Sequence, residues 1–107
     1  MKKYIDVFNN YGVEITDKIK TYNKIIKEYD WIGCAGQVDG TNSRGRTTKI
    51  ETPDGQIRIV IYYNGEVSVL AHEAYHAMMY IANLHDIQDE EFIAYGVQKI
   101  IKEVMEK

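Results

Sequence analysis

The chain has 107 residues, of which 45% are hydrophobic and 27% charged, the balance of one small folded domain rather than of a disordered tail. A formal net charge of -3 leaves no global positive field, so neither nucleic acid nor an anionic membrane is an expected partner. The single cysteine, Cys34, excludes an internal disulfide and fits a reducing compartment.

In the opening run, Asp6, Asn9 and Asn10 interrupt the apolar residues before a hydrophobic stretch develops. Neither a signal peptide nor a membrane span is expected, and the expected address is the cytoplasm. Tyr4, Ile5, Val7 and Phe8 suit a short strand or part of a first helix, with Asn9-Asn10 and Gly12 as breakers. From Asp17 to Tyr29, Ile19, Tyr22, Ile25, Ile26 and Tyr29 recur at helical spacing with lysines between them, which predicts an amphipathic helix capped by Thr16 or Asp17. Residues 30–39 combine Trp31, Ile32 and Val38 with small residues and read as a strand, followed by a polar loop from Gly40 to Gly45. Thr47 to Thr52 and Gln56 to Tyr63 flank Pro53-Asp54-Gly55, and Ile57, Ile59 and Ile61 alternate with polar positions, the pattern of a half-buried hairpin.

After Asn64-Gly65 the period changes. Ser68 is a candidate N-cap for a helix over 69–82 that is apolar almost all round and therefore expected to be central and buried. A break from Asn83 to Gln88 precedes a last helix from Asp89 to Glu106, with Ile93, Val97, Ile100, Ile101 and Val104 on one face and an acidic first turn. The expected fold is α+β: an N-terminal helix, a small, mostly antiparallel sheet, and two helices, in a single domain over 1–107.

His72-Glu73-Ala74-Tyr75-His76 fits H-E-x-x-H. On a helix, residues four apart share a face, so both imidazoles reach one ion, with Glu73 beside them. Two imidazoles plus a carboxylate suit zinc, which lowers the pKa of a bound water towards about 7 while Glu73 accepts its proton. Burial of these three groups in an apolar helix would be costly without a cation to satisfy them. The third ligand must lie downstream. Ala82 stands where an H-E-x-x-H-x-x-G-x-x-H pattern needs histidine, and His85 falls at the helix end, which leaves Asp86, Asp89, Glu90 and Glu91.

Glu91-Phe92-Ile93-Ala94-Tyr95 resembles the E-x-x-A-[DY] motif of the gluzincin side of the zincin metallopeptidases. Residues 56–107 are also similar to small phage-encoded zincin-like proteins, in which a short sheet precedes the H-E-x-x-H helix and an E-x-x-A-Y helix follows. The resemblance implies a zincin-like mini-domain with His72, His76 and Glu91 as zinc ligands, Glu73 as general base, and Tyr95 orienting a ligand or donating to the developing oxyanion. Helical periodicity instead turns Glu90 nearer the face of Ile93, Val97 and Ile101, so motif and period point to different glutamates.

The expected activity is zinc-dependent hydrolysis of a peptide bond in a peptide or protein substrate, laid along an exposed strand at Gln56 to Tyr63. The alternative is a catalytically inactive, zinc-stabilised binding or host-interaction module, for which the small size of the chain speaks. Tyr75 and Tyr80 read as core aromatics, Met78 and Met79 as gap-fillers, and Cys34 as a buried thiol. Arg44, Arg46 and Lys49 form a small basic patch that suits a solvated or substrate-gating loop better than a nucleic-acid site.

Overall fold

The computed structural model describes residues 1–8, 11–28 and 44–106. They form strands β1 (Lys2–Phe8), β2 (Tyr11–Thr16), β3 (Gly45–Glu51) and β4 (Ile57–Tyr63), and helices α1 (Ile19–Glu28), α2 (Val67–Leu84) and α3 (Glu90–Met105). The sheet order is β1-β2-β4-β3, antiparallel at both outer pairs and parallel between β2 and β4. The expected strand over 30–39, the polar loop up to Ser43, and Cys34 lie outside the described residues.

Strand alternation sorts the sheet residues onto two faces. Val13, Ile15, Ile59 and Ile61 meet Leu70, Ala74, Ala77, Met78 and Ile81 of α2 and Ile100 of α3. On the opposite face Ile50, Val60 and Tyr62 meet Tyr22, Ile25 and Ile26 of α1. The sheet is thus covered on both sides, α1 on one and α2 with α3 on the other. Each fully buried aliphatic side chain contributes about 1.5–3 kcal/mol relative to exposure, so both helical layers stabilise the sheet.

β2 was not foreseen, because Gly12 reads as a breaker. Its missing side chain has a packing reason: an added Cβ would stand 2.3 Å from the ring of Tyr4, which lies across it from β1. β4 differs from expectation as well. Val60 and Tyr62, between the alternating isoleucines, are buried under α1, so β4 is an interior strand paired on both edges and cannot accept a substrate strand. The turn behaves as its sequence requires: Gly55 N–H donates to Thr52 O at 2.9 Å, and Gly55 takes φ 85°.

Helix boundaries follow local chemistry. Thr16 Oγ1 accepts from Lys18 N–H at 3.1 Å ahead of α1. α2 starts earlier than expected, with Glu66 and not Ser68 at the N-cap, and Asn64 Oδ1 accepts from Glu66 N–H at 3.1 Å. It ends in a Schellman motif: Ile87 N–H donates to Ala82 O at 2.8 Å, Asp86 N–H donates to Asn83 O at 3.3 Å, and Asp86 occupies the left-handed position with φ 54°. Asp89 caps α3, accepting from Glu91 N–H at 2.9 Å.

α3 also ties down the outer strand β1. Lys99 Nζ donates to Asp6 O at 2.8 Å, and Lys3 Nζ donates to the carbonyl of Glu103. No helix among the described residues is long and apolar enough to cross a membrane.

Candidate metal centre

α2 is not buried all round. His72, Tyr75 and His76 form an exposed ridge, while Glu73 alone of the motif's polar groups is buried, at 7% exposure. The expectation that both imidazoles are sequestered therefore fails. The helix buries the flank bearing Leu70, Ala74, Ala77, Met78, Ile81 and Ala82, while Val67 and Leu84 are exposed. Tyr75, expected in the core, is 49% exposed.

The two imidazoles nevertheless converge. His72 Nε2 and His76 Nε2 are 3.2 Å apart, with ring planes at 77°. Two nitrogens each 2.0–2.1 Å from a tetrahedral ion are separated by roughly 3.3 Å, so the pair has the spacing of two ligand positions on one zinc.

Glu73 is fixed from the sheet side. Thr47 Oγ1 lies 2.7 Å from Glu73 Oε1 and 3.0 Å from the Glu73 carbonyl, so its hydroxyl proton is shared between two acceptors of the same residue. This close approach of β3 to α2 needs a glycine. A Cβ at Gly45 would stand 2.7 Å from Val69 Cγ1 and 2.9 Å from Glu73 Cγ. Gly45 and Thr47 are the parts of the site that sequence reasoning missed. They sit 26 or more residues before Glu73, and nothing in the spacing of β3 announces a helix beside it.

On the other flank of α2, Tyr75 faces α3. A groove of about 450 Å³ between the helices is lined by Tyr75, Glu90, Ile93, Ala94 and Val97. The Tyr75 ring is 6.0 Å from that of His76. Glu90 therefore borders the histidine-bearing helix. Glu91 is exposed, its backbone engaged with Asp89. Tyr95 is 66% exposed and lines a different cavity, with Phe8, Met78 and Gly96 on the β1 side.

His85 is anchored at the end of α2, Nδ1 2.9 Å from Ile81 O, between the rings of Phe8 and Tyr11. Among the described residues no three His, Cys, Asp or Glu side chains converge as a metal site. The structure thus brings His72 and His76 together, ties the neighbouring Glu73 to Thr47 on β3, and joins neither Glu90 nor Glu91 to the histidine pair. No family model, curated protein or solved structure matches the chain.

Proposed function

We propose that the chain is a zinc-dependent peptidase whose active site is the exposed histidine ridge of α2 where it packs against β3. The observation that carries this reading is the 3.2 Å Nε2 pair of His72 and His76 beside a buried carboxylate held by Thr47. His72 and His76 would hold the ion, with a third position closed by Glu91, as the motif suggests, or by Glu90, on the flank that borders Tyr75. Zinc, when bound, supplies Lewis acidity that polarises a carbonyl and acidifies water.

Glu73 handles the proton. Its Oε1 accepts from Thr47, which leaves Oε2 to take a proton from the attacking water as the carbon–oxygen bond forms. The same oxygen then delivers that proton to the departing amine as the carbon–nitrogen bond breaks. β3, at the edge of the sheet among the described residues and against α2, replaces β4 as the strand along which an extended peptide is held. The alternative of a zinc-stabilised, non-catalytic binding module is favoured by one observation, the convergence of two and not three ligand side chains among the described residues.

Elemental mass spectrometry of the purified chain, combined with a peptide-cleavage assay, tests the reading. One zinc per chain is expected, lost in His76→Ala and in whichever of Glu90→Gln or Glu91→Gln removes the third ligand. Glu73→Gln is expected to keep zinc and lose cleavage. Zinc retention without cleavage by the wild type selects the binding module, and failure to take up added zinc overturns both.

A further inference from the structure

We infer that the substrate held along β3 is an acidic peptide, carrying two carboxylate side chains three positions apart. This rests on reading the junction of α2 and β3 as a peptide-binding site. Among the described residues β3 pairs with β4 only, so its other edge offers backbone donors and acceptors to an added strand. The opposite edge of the sheet differs, because Lys99 of α3 reaches over β1 to the Asp6 carbonyl and Lys3 of β1 reaches back to the Glu103 carbonyl of α3.

Side chains along β3 give the edge its charge. Arg46 and Lys49 are both exposed, and the only carboxylate on the strand is Glu51, at the end away from Glu73. Strand alternation puts the two cations on opposite faces. Lys49 shares the α2 face with Thr47, its Nζ 5.9 Å from the centre of the Tyr80 ring. Arg46 shares the α1 face with Thr48, whose hydroxyl meets Tyr22. In an added strand, the residues opposite Arg46 and Lys49 are likewise three apart and project to opposite faces. Acidic side chains there place opposite charges directly across from each other, while lysines there repel. The edge is cationic in a chain whose net charge is -3, so the sign of this strip is local. A nucleic acid meets the charge but not the row of peptide groups, and so fits the edge less well.

The experiment compares three extended peptides identical but for two positions three apart, occupied by Glu, Gln or Lys. Cleavage by the wild-type chain and binding to the Glu73→Gln chain, both supplemented with zinc, are measured, with a single-stranded oligonucleotide as a fourth probe. The Glu peptide is expected to be bound and cleaved roughly 2- to 10-fold better than the Gln peptide, and the Lys peptide worse. In an Arg46→Gln, Lys49→Gln double variant the ratio of Glu-peptide to Gln-peptide cleavage should fall to about one, and in the wild type the preference should shrink at high salt.

Equal cleavage of all three peptides overturns the acidic preference and leaves the peptidase reading standing. A charge preference in binding with no peptide cleaved removes the peptidase reading and keeps the acidic strand on β3. Oligonucleotide binding that the double variant abolishes, with no peptide bound, overturns the inference and assigns the cations to nucleic acid.

Discussion

At the scale of single residues, the proposed proton transfer depends on how Glu73 is held. A buried carboxylate that loses its donor is left with the desolvation cost of an unsatisfied group, about 1–3 kcal/mol. Thr47 Oγ1 supplies that donor at 2.7 Å. Thr47→Val is therefore expected to lower stability by about that amount, to leave zinc content unchanged, and to reduce kcat more than it raises KM. Thr47→Ser should restore both, and chemical denaturation alongside steady-state kinetics checks the pair. Spacing in the sequence is enough to read the H-E-x-x-H register, since the i, i+4 relation is local. It could not disclose the partner of Glu73, because Thr47 reaches it only when an edge strand folds against a helix. The supposed burial of the histidines failed for a related reason. Apolar composition says how much of a helix can be buried, and the neighbours decide which flank is.

At the scale of elements, α2, α3 and the β3–β4 hairpin were legible within a residue or two, because helical periodicity and Pro-Asp-Gly turn chemistry both act locally. β2 was lost to Gly12, read as a breaker when its bare Cα makes room for Tyr4. β4 was taken for a half-exposed strand because Ile57, Ile59 and Ile61 dominate its pattern, whereas Val60 and Tyr62 make its second face apolar too. The end of α2 offers a direct test of backbone conformation. Asp86 adopts φ 54°, where a side chain crowds the backbone and glycine does not. Asp86→Gly is expected to stabilise the chain by about 0.5–1 kcal/mol, seen as a shift of the denaturation midpoint with unchanged slope.

At the scale of the whole molecule, the α1 layer makes stability depend on alkaline pH. Burial raises the Tyr22 phenol above its usual value of 10.0, opposed by the hydrogen bond from Thr48 and by the charge of Arg46. Because the folded value lies above the unfolded one, the contribution of Tyr22 is complete below pH 10 and is lost as pH rises through the folded value. Tyr22→Phe should be less stable than the wild type by about 1 kcal/mol at neutral pH, through the lost bond to Thr48. That gap should close above pH 10, and urea titrations across pH check it. Tyr63, also raised by burial, is unchanged in this comparison and serves as an internal constant. The ties between β1 and α3 bear on how the chain comes to be folded. Ile5 and Ile100 lie in one core cluster, and Lys3 and Lys99 bond across sequence separations of 100 and 93 residues. Contacts this distant make folding slow, and during synthesis a nascent chain holds an unfinished core until α3 has emerged. The helix bearing His72 and His76 can settle on its completed sheet only after translation of the segment that ties down the opposite edge.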